Sequence, residues 1–159
     1  MKKNNAVGAL LVGNNANLLD TAILLLRLGV GVTLFIVGSG KVLGWFGGNG
    51  LEKTIQIYAK MGIAPPLAYV SCFTEFLGGI LLIVGFLTRP AAIPVAINML
   101  VATHVMLSRG FVASIAPFSV LVSTIVILLT GPMTFSLDSW LAGSRPAAPE
   151  VTAQGIKAK

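Results

Sequence analysis

Apolar residues run along this chain in long blocks rather than in the strict alternation of a half-buried strand. Each block is closed by a short cluster of Gly, Pro or charged residues. The first block extends from about Leu18 to Leu43 and is interrupted only by Asp20, Arg27 and Lys41. At 1.5 Å rise per residue, roughly 20 residues cross a hydrocarbon layer of about 30 Å, so this block is long enough to span one. Gly44-Trp45-Phe46-Gly47-Gly48-Asn49-Gly50 then reads as a flexible turn whose aromatics suit the headgroup level. Over residues 51–62 the pattern becomes that of an amphipathic helix, with Leu51, Ile55 and Tyr58 on one face and Lys53, Gln56 and Lys60 on the other. Such a segment lies along the membrane surface or lids a bundle; a short soluble loop helix is the alternative. Pro65-Pro66 closes it. A second span begins near Leu67 and ends at Thr88-Arg89-Pro90, a third runs from about Ala91 to Leu107, and a fourth from about Val112 to Thr130, stopping at Gly131-Pro132. The pattern predicts an all-α fold: an integral membrane four-helix bundle with a short amphipathic helix between spans one and two.

The two ends read differently from the middle. Residues 1–18, two Asn-rich patches around an apolar piece too short to span, are expected to form an N-terminal tail. Residues 19–141 form the transmembrane domain, and 142–159, rich in Ser, Pro, Ala, Gly and Lys, a disordered C-terminal tail. Between them, Asp138 suits an Asx-type turn or the cap of a terminal helical turn, and Trp140 the interface, as a structural plug or a contact for a peripheral partner.

Composition supports the membrane class. Charged residues make up 10% of the chain, against about 25% in soluble domains. The net charge of +6 comes mostly from basic residues at the ends of the apolar blocks, which points to membrane lipid headgroups and topology rather than to nucleic acid. Four spans put both termini on one side. That side holds Lys2, Lys3, Arg89, Arg145, Lys157 and Lys159, the other Lys41, Lys53, Lys60 and Arg109. The excess predicts cytoplasmic termini, in a multi-pass protein of a bacterial cell inner membrane. Cys72 is the only cysteine and His104 the only histidine. An intrachain disulfide, a CxxC pair, bis-histidine haem ligation and a histidine-rich metal centre are therefore excluded within one subunit, and no metal site is expected.

The candidate chemistry lies in the few polar residues inside the spans. A lone ionised carboxylate in the apolar layer is costly, so Glu75 needs a partner, a proton or a polar cavity. Arg27 stands about 10 Å from the inner end of span one and Glu75 about 12 to 14 Å from the outer end of span two. Their backbones then differ by about 6 to 8 Å in height, which an arginine side chain covers, so an Arg27–Glu75 pair is expected. Such a pair is either functional or a device that fixes helix register. In span three, Asn98 and His104 bracket the height of Glu75 but differ by about 120° in helix angle. Asn98 is the better member of a central cluster; His104 bridges to Glu75, donates to a quinone carbonyl, or bonds a backbone carbonyl. Gly78 and Gly79, beside Glu75, allow close helix packing or form a slot for a flat ring or lipid tail. Gly38-Ser39-Gly40-Lys41 lacks phosphate-loop spacing, and Lys41 is expected to snorkel to the outer headgroups.

These residues also carry a resemblance. Arg27-Leu28-Gly29, Gly38-Ser39-Gly40-Lys41, Glu75-Phe76-Leu77-Gly78-Gly79 with Gly85-Phe86-Leu87-Thr88-Arg89, and Gly131-Pro132 followed by Ser136-Leu137-Asp138 make the chain look like a member of the DoxX-like membrane proteins. That group includes the small subunit of thiosulfate:quinone oxidoreductase, and the likeness covers about residues 20–141. The chain departs from the family pattern in lacking a histidine near the end of span one and in placing Met133 where Gly usually follows Gly-Pro. The resemblance implies a membrane subunit of a quinone-linked or thiol and oxidative-stress redox complex, with Arg27, Glu75, Asn98 and His104 as candidate catalytic residues. Glu75, Gly78 and Gly79 are candidates for binding a cofactor, for which a quinone is the group implied. Since no flavin, haem or iron-sulfur ligation is visible, the electron donor would be another protein subunit; a homo-oligomer is the other partner expected. Two rival functions stand beside this one: a membrane scaffold or assembly partner without catalysis, and a small-molecule or lipid permease.

Overall fold

The computed structural model describes residues 16–131 and 136–138. The tails expected over 1–18 and 142–159 lie outside this range, except that Ala16 already begins the first helix; Trp140 also lies outside it. Within residues 16–131 five α-helices follow one another: α1, Ala16–Val42; α2, Gly50–Lys60; α3, Pro65–Val84; α4, Thr88–Leu107; and α5, Phe111–Thr130, with a 3-10 turn at Trp45–Gly47 between α1 and α2. α1, α3, α4 and α5 are the four membrane-spanning helices, and α2 with its preceding turn is the short element between the first two.

The helix boundaries follow local chemistry. Pro65 and Pro66 occupy the first positions of α3, where a missing N–H costs nothing. Gly85 ends α3 in the left-handed conformation at φ +71°, and its N–H and that of Phe86 both reach the carbonyl of Leu81. α4 starts at Thr88, three residues before the expected Ala91, so Pro94 falls in its second turn rather than its first.

The spans close into a ring: α1 packs on α3, α3 on α4, α4 on α5 and α5 back on α1. Its core is Val30, Leu34, Leu82, Val95, Met99, Leu121 and Ile127, while Leu25, Val70, Leu100, Ile97 and Leu129 point outward, as lipid-facing positions must. α1 and α3 come closest. A Cβ at Gly38 would lie 2.5 Å from the backbone nitrogen of Phe76, and one at Gly79 2.6 Å from that of Phe35. Without a hydrophobic drive between helices in lipid, this backbone approach maximises dispersion contact, and it sets the antiparallel register of the two helices. The rings of Phe35 and Phe76 stack beside it at 5.8 Å.

We call the end carrying the α1–α2 connection and α2 the loop end, and the end carrying the α3–α4 turn the terminal end.

Candidate functional site

At the loop end four elements converge on Glu75. The register imposed at Gly38 sets Lys41, one turn further along the same face of α1, within reach of that carboxylate. Lys41 Nζ lies 2.6 Å from Glu75 Oε2 and 2.7 Å from Oε1, and it also donates to Tyr58 Oη of α2 at 3.0 Å. Asn98 Nδ2 of α4 donates to Glu75 Oε1 at 3.2 Å. The Glu75 side chain is 4% exposed and that of Lys41 24%. A buried carboxylate is thus matched by an ammonium and an amide, and the pair sits under a helix that contributes a phenol.

This arrangement corrects two expectations. Glu75 pairs with Lys41, not with Arg27, and Lys41 turns into the bundle instead of snorkelling outward. The Arg27 guanidinium lies against Gly85, where a Cβ would come within 2.9 Å of Cζ. Gly85 is ten residues beyond Glu75, about 15 Å along the helix. The estimate failed because α1 continues from Arg27 back to Ala16 past the end of α3. Measuring depth from Leu18 therefore placed Arg27 too far into the layer.

The other candidates separate. Asn98 joins the cluster, whereas His104 is exposed and makes no hydrogen bond with a described residue. Gly79 is covered by the α1 backbone. Gly78 faces α4 and lines a crevice of about 420 Å³ between α3 and α4, together with Tyr69, Phe73, Thr74, Leu81 and Pro94. Of the two glycines, Gly78 alone lines that crevice.

Sequence reasoning missed Lys41 and Tyr58 as members of the cluster. The signal for Lys41 was its neighbour Gly38: a small residue one turn away on the same face marks a helix–helix contact, not a headgroup-facing surface. Tyr58 stood on the apolar face of α2 with Leu51 and Ile55, and its hydroxyl needed a partner once that face docked.

A second polar group lies at the terminal end. Asp138 Oδ1 accepts from the Leu87 N–H at 2.8 Å and Oδ2 from the Thr88 N–H at 2.9 Å, and the Asp138 N–H reaches the Gly85 carbonyl at 3.2 Å. Local capping by Leu87 is impossible, since it has no acceptor on its side chain. A carboxylate from 50 residues away caps α4 instead. Its negative charge also acts on the Arg27 guanidinium and favours the positive end of the helix dipole. This long-range role was not among those expected for Asp138; the Asx-type or terminal-helix role depends on residues outside the described range.

The DoxX family model matches residues 22–109, a stretch that includes Arg27, Lys41, Tyr58, Glu75 and Asn98. A protein of Bacillus subtilis (strain 168) described as "Putative oxidoreductase CatD" is 30% identical over 120 residues, covering 74% of this chain and 85% of that protein. No solved structure gives a significant match. With four spans in a closed ring and a family match over more than half of its length, the chain belongs to the DoxX family.

Proposed function

We propose that this protein is the membrane subunit of a quinone-linked redox complex, with the quinone head group bound at the cluster of Lys41, Tyr58, Glu75 and Asn98. The observation that carries the reading is the pair of the buried Glu75 carboxylate with Lys41, with a phenol and an amide attached to it. Intramembrane ionisable residues are functional candidates, and a quinone needs a few placed polar groups in an otherwise apolar site. The crevice at Gly78 is of a size to take part of an apolar tail. The description of CatD as an oxidoreductase supports redox chemistry for its relative. In this reading the electrons come from a partner protein, because the described residues contain no group of three or more His, Cys, Asp or Glu able to hold a metal ion. The termini face the cytoplasm of a bacterial inner membrane, and the cluster lies toward the opposite surface.

A second reading, a membrane assembly partner without catalysis, is favoured by the cluster's joining α1, α2, α3 and α4 at one point. Purification in nanodiscs separates the two. The redox reading expects quinone and a cofactor-bearing protein to copurify with the wild type, and Glu75→Gln to lose the quinone while keeping the partner. Loss of the partner, with no quinone present in the wild type, would establish the assembly reading instead.

A further inference from the structure

The hydrogen bonds around Glu75 can be followed atom by atom. An ammonium has three donors, and Lys41 directs its own toward three acceptors: both oxygens of Glu75 and the Tyr58 oxygen. Glu75 Oε1 takes a further bond from Asn98. The two charged residues that first suggest reactivity therefore spend their polar atoms on each other and on their neighbours, and the carboxylate is almost fully enclosed.

Tyr58 differs. Its oxygen accepts from Lys41, but its hydrogen is donated to no described residue. A hydroxyl that accepts from an ammonium is polarised and becomes the stronger donor. The ring is half-buried, less enclosed than the Glu75 carboxylate it stands beside. Asn98 keeps one amide hydrogen and its carbonyl oxygen, but it is neutral and already donates into the carboxylate.

Resting on the quinone reading above, we infer that Tyr58 is the residue that donates a hydrogen bond to a quinone carbonyl, while Lys41 and Glu75 hold and polarise its hydroxyl. The class of ligand is an aromatic or quinonoid ring with an acceptor oxygen, delivered from the membrane. The sequence on α2 that carries Tyr58 then belongs to the binding site and is more than a cover over it.

The test uses the full chain in nanodiscs and a short-chain quinone with ¹³C-labelled carbonyls. Tyr58→Phe removes only the hydroxyl. We expect binding about tenfold weaker, the value of one good hydrogen bond, and a carbonyl stretching band moved back toward its position in an apolar solvent. A purely structural role for Tyr58 would not move that band in the population that still binds. Unchanged affinity and an unchanged band overturn the inference, as does a band that moves with Asn98→Leu and not with Tyr58→Phe. A wild type that binds no quinone overturns the function proposed above as well. In case Tyr58→Phe loosens α2, the intact protein labelled with 3-fluorotyrosine gives a second readout, since the chain has two tyrosines, Tyr58 and Tyr69. Quinone is expected to shift the Tyr58 resonance. A shift confined to Tyr69, which lines the α3–α4 crevice, would place the ligand away from the cluster and overturn the assignment.

Discussion

The loop end and the terminal end of the bundle both set a carboxylate near a basic residue, Glu75 buried and Asp138 half-buried, and they use it in opposite ways. Glu75 meets Lys41 side chain to side chain, with an acceptor for the ammonium from α2 and a donor to the carboxylate from α4 completing the group. Asp138 spends its oxygens on backbone N–H groups of the α3–α4 turn, and its negative charge also acts on Arg27. The first arrangement depends on four elements staying docked and leaves a polarised hydroxyl over. The second closes a helix end that local sequence cannot cap, and its oxygens are committed to the peptide backbone. A buried charge in a membrane protein is therefore not by itself a sign of chemistry. What matters is whether its hydrogen-bonding capacity goes to the fold or to side chains that face a ligand.

The contrast can be broken from either end. The largest effect is expected for Glu75→Ala, which leaves the half-buried Lys41 without its counter-charge and costs at most about 3–5 kcal/mol, the range for a fully buried pair. Denaturant unfolding in detergent measures it. The double variant Lys41→Met with Glu75→Leu, apolar side chains of similar bulk, should recover most of that loss, since removing both charges removes the desolvation cost too. Failure to recover would mean that Asn98 and Tyr58 carry more of the stability than the ion pair does.

At the terminal end, Asp138→Ala should cost about 1–2 kcal/mol, the range of a lost helix cap. Faster hydrogen exchange should be confined to the Leu87 and Thr88 amides and the first turn of α4. Quinone binding should be unaffected, which would separate the two polar groups functionally. Tyr58→Phe should lower stability by about 1 kcal/mol or less, because one hydrogen bond is lost and the ring remains. The smallest effect belongs to His104→Ala, expected within about 0.5 kcal/mol of the wild type because the side chain is exposed and makes no hydrogen bond with a described residue. A large loss of the proposed quinone binding in that variant would shift the site toward the loop end of α4.

Block length, the Pro65-Pro66 break and the face of α2 are local properties, and they made the four spans and the intervening helix legible without coordinates, although α3 starts at Pro65 and stops at Gly85 rather than running from Leu67 to Thr88. Glu75 stood out for the same reason: a carboxylate amid apolar residues is visible at any register. Its partner was not. Arg27 and Lys41 are both on α1, and the choice between them depends on how far α1 slides along α3. The backbone contacts at Gly38 and Gly79 settle that offset, and no hydropathy window reports it. The capping of α4 by Asp138 was hidden for a related reason, since those partners lie 50 residues away at the α3–α4 turn. The sequence by itself thus determined that this is a four-span membrane bundle with charge inside it. Only the tertiary structure decided which charges meet, because pairing depends on helix register and on contacts between elements distant in the chain.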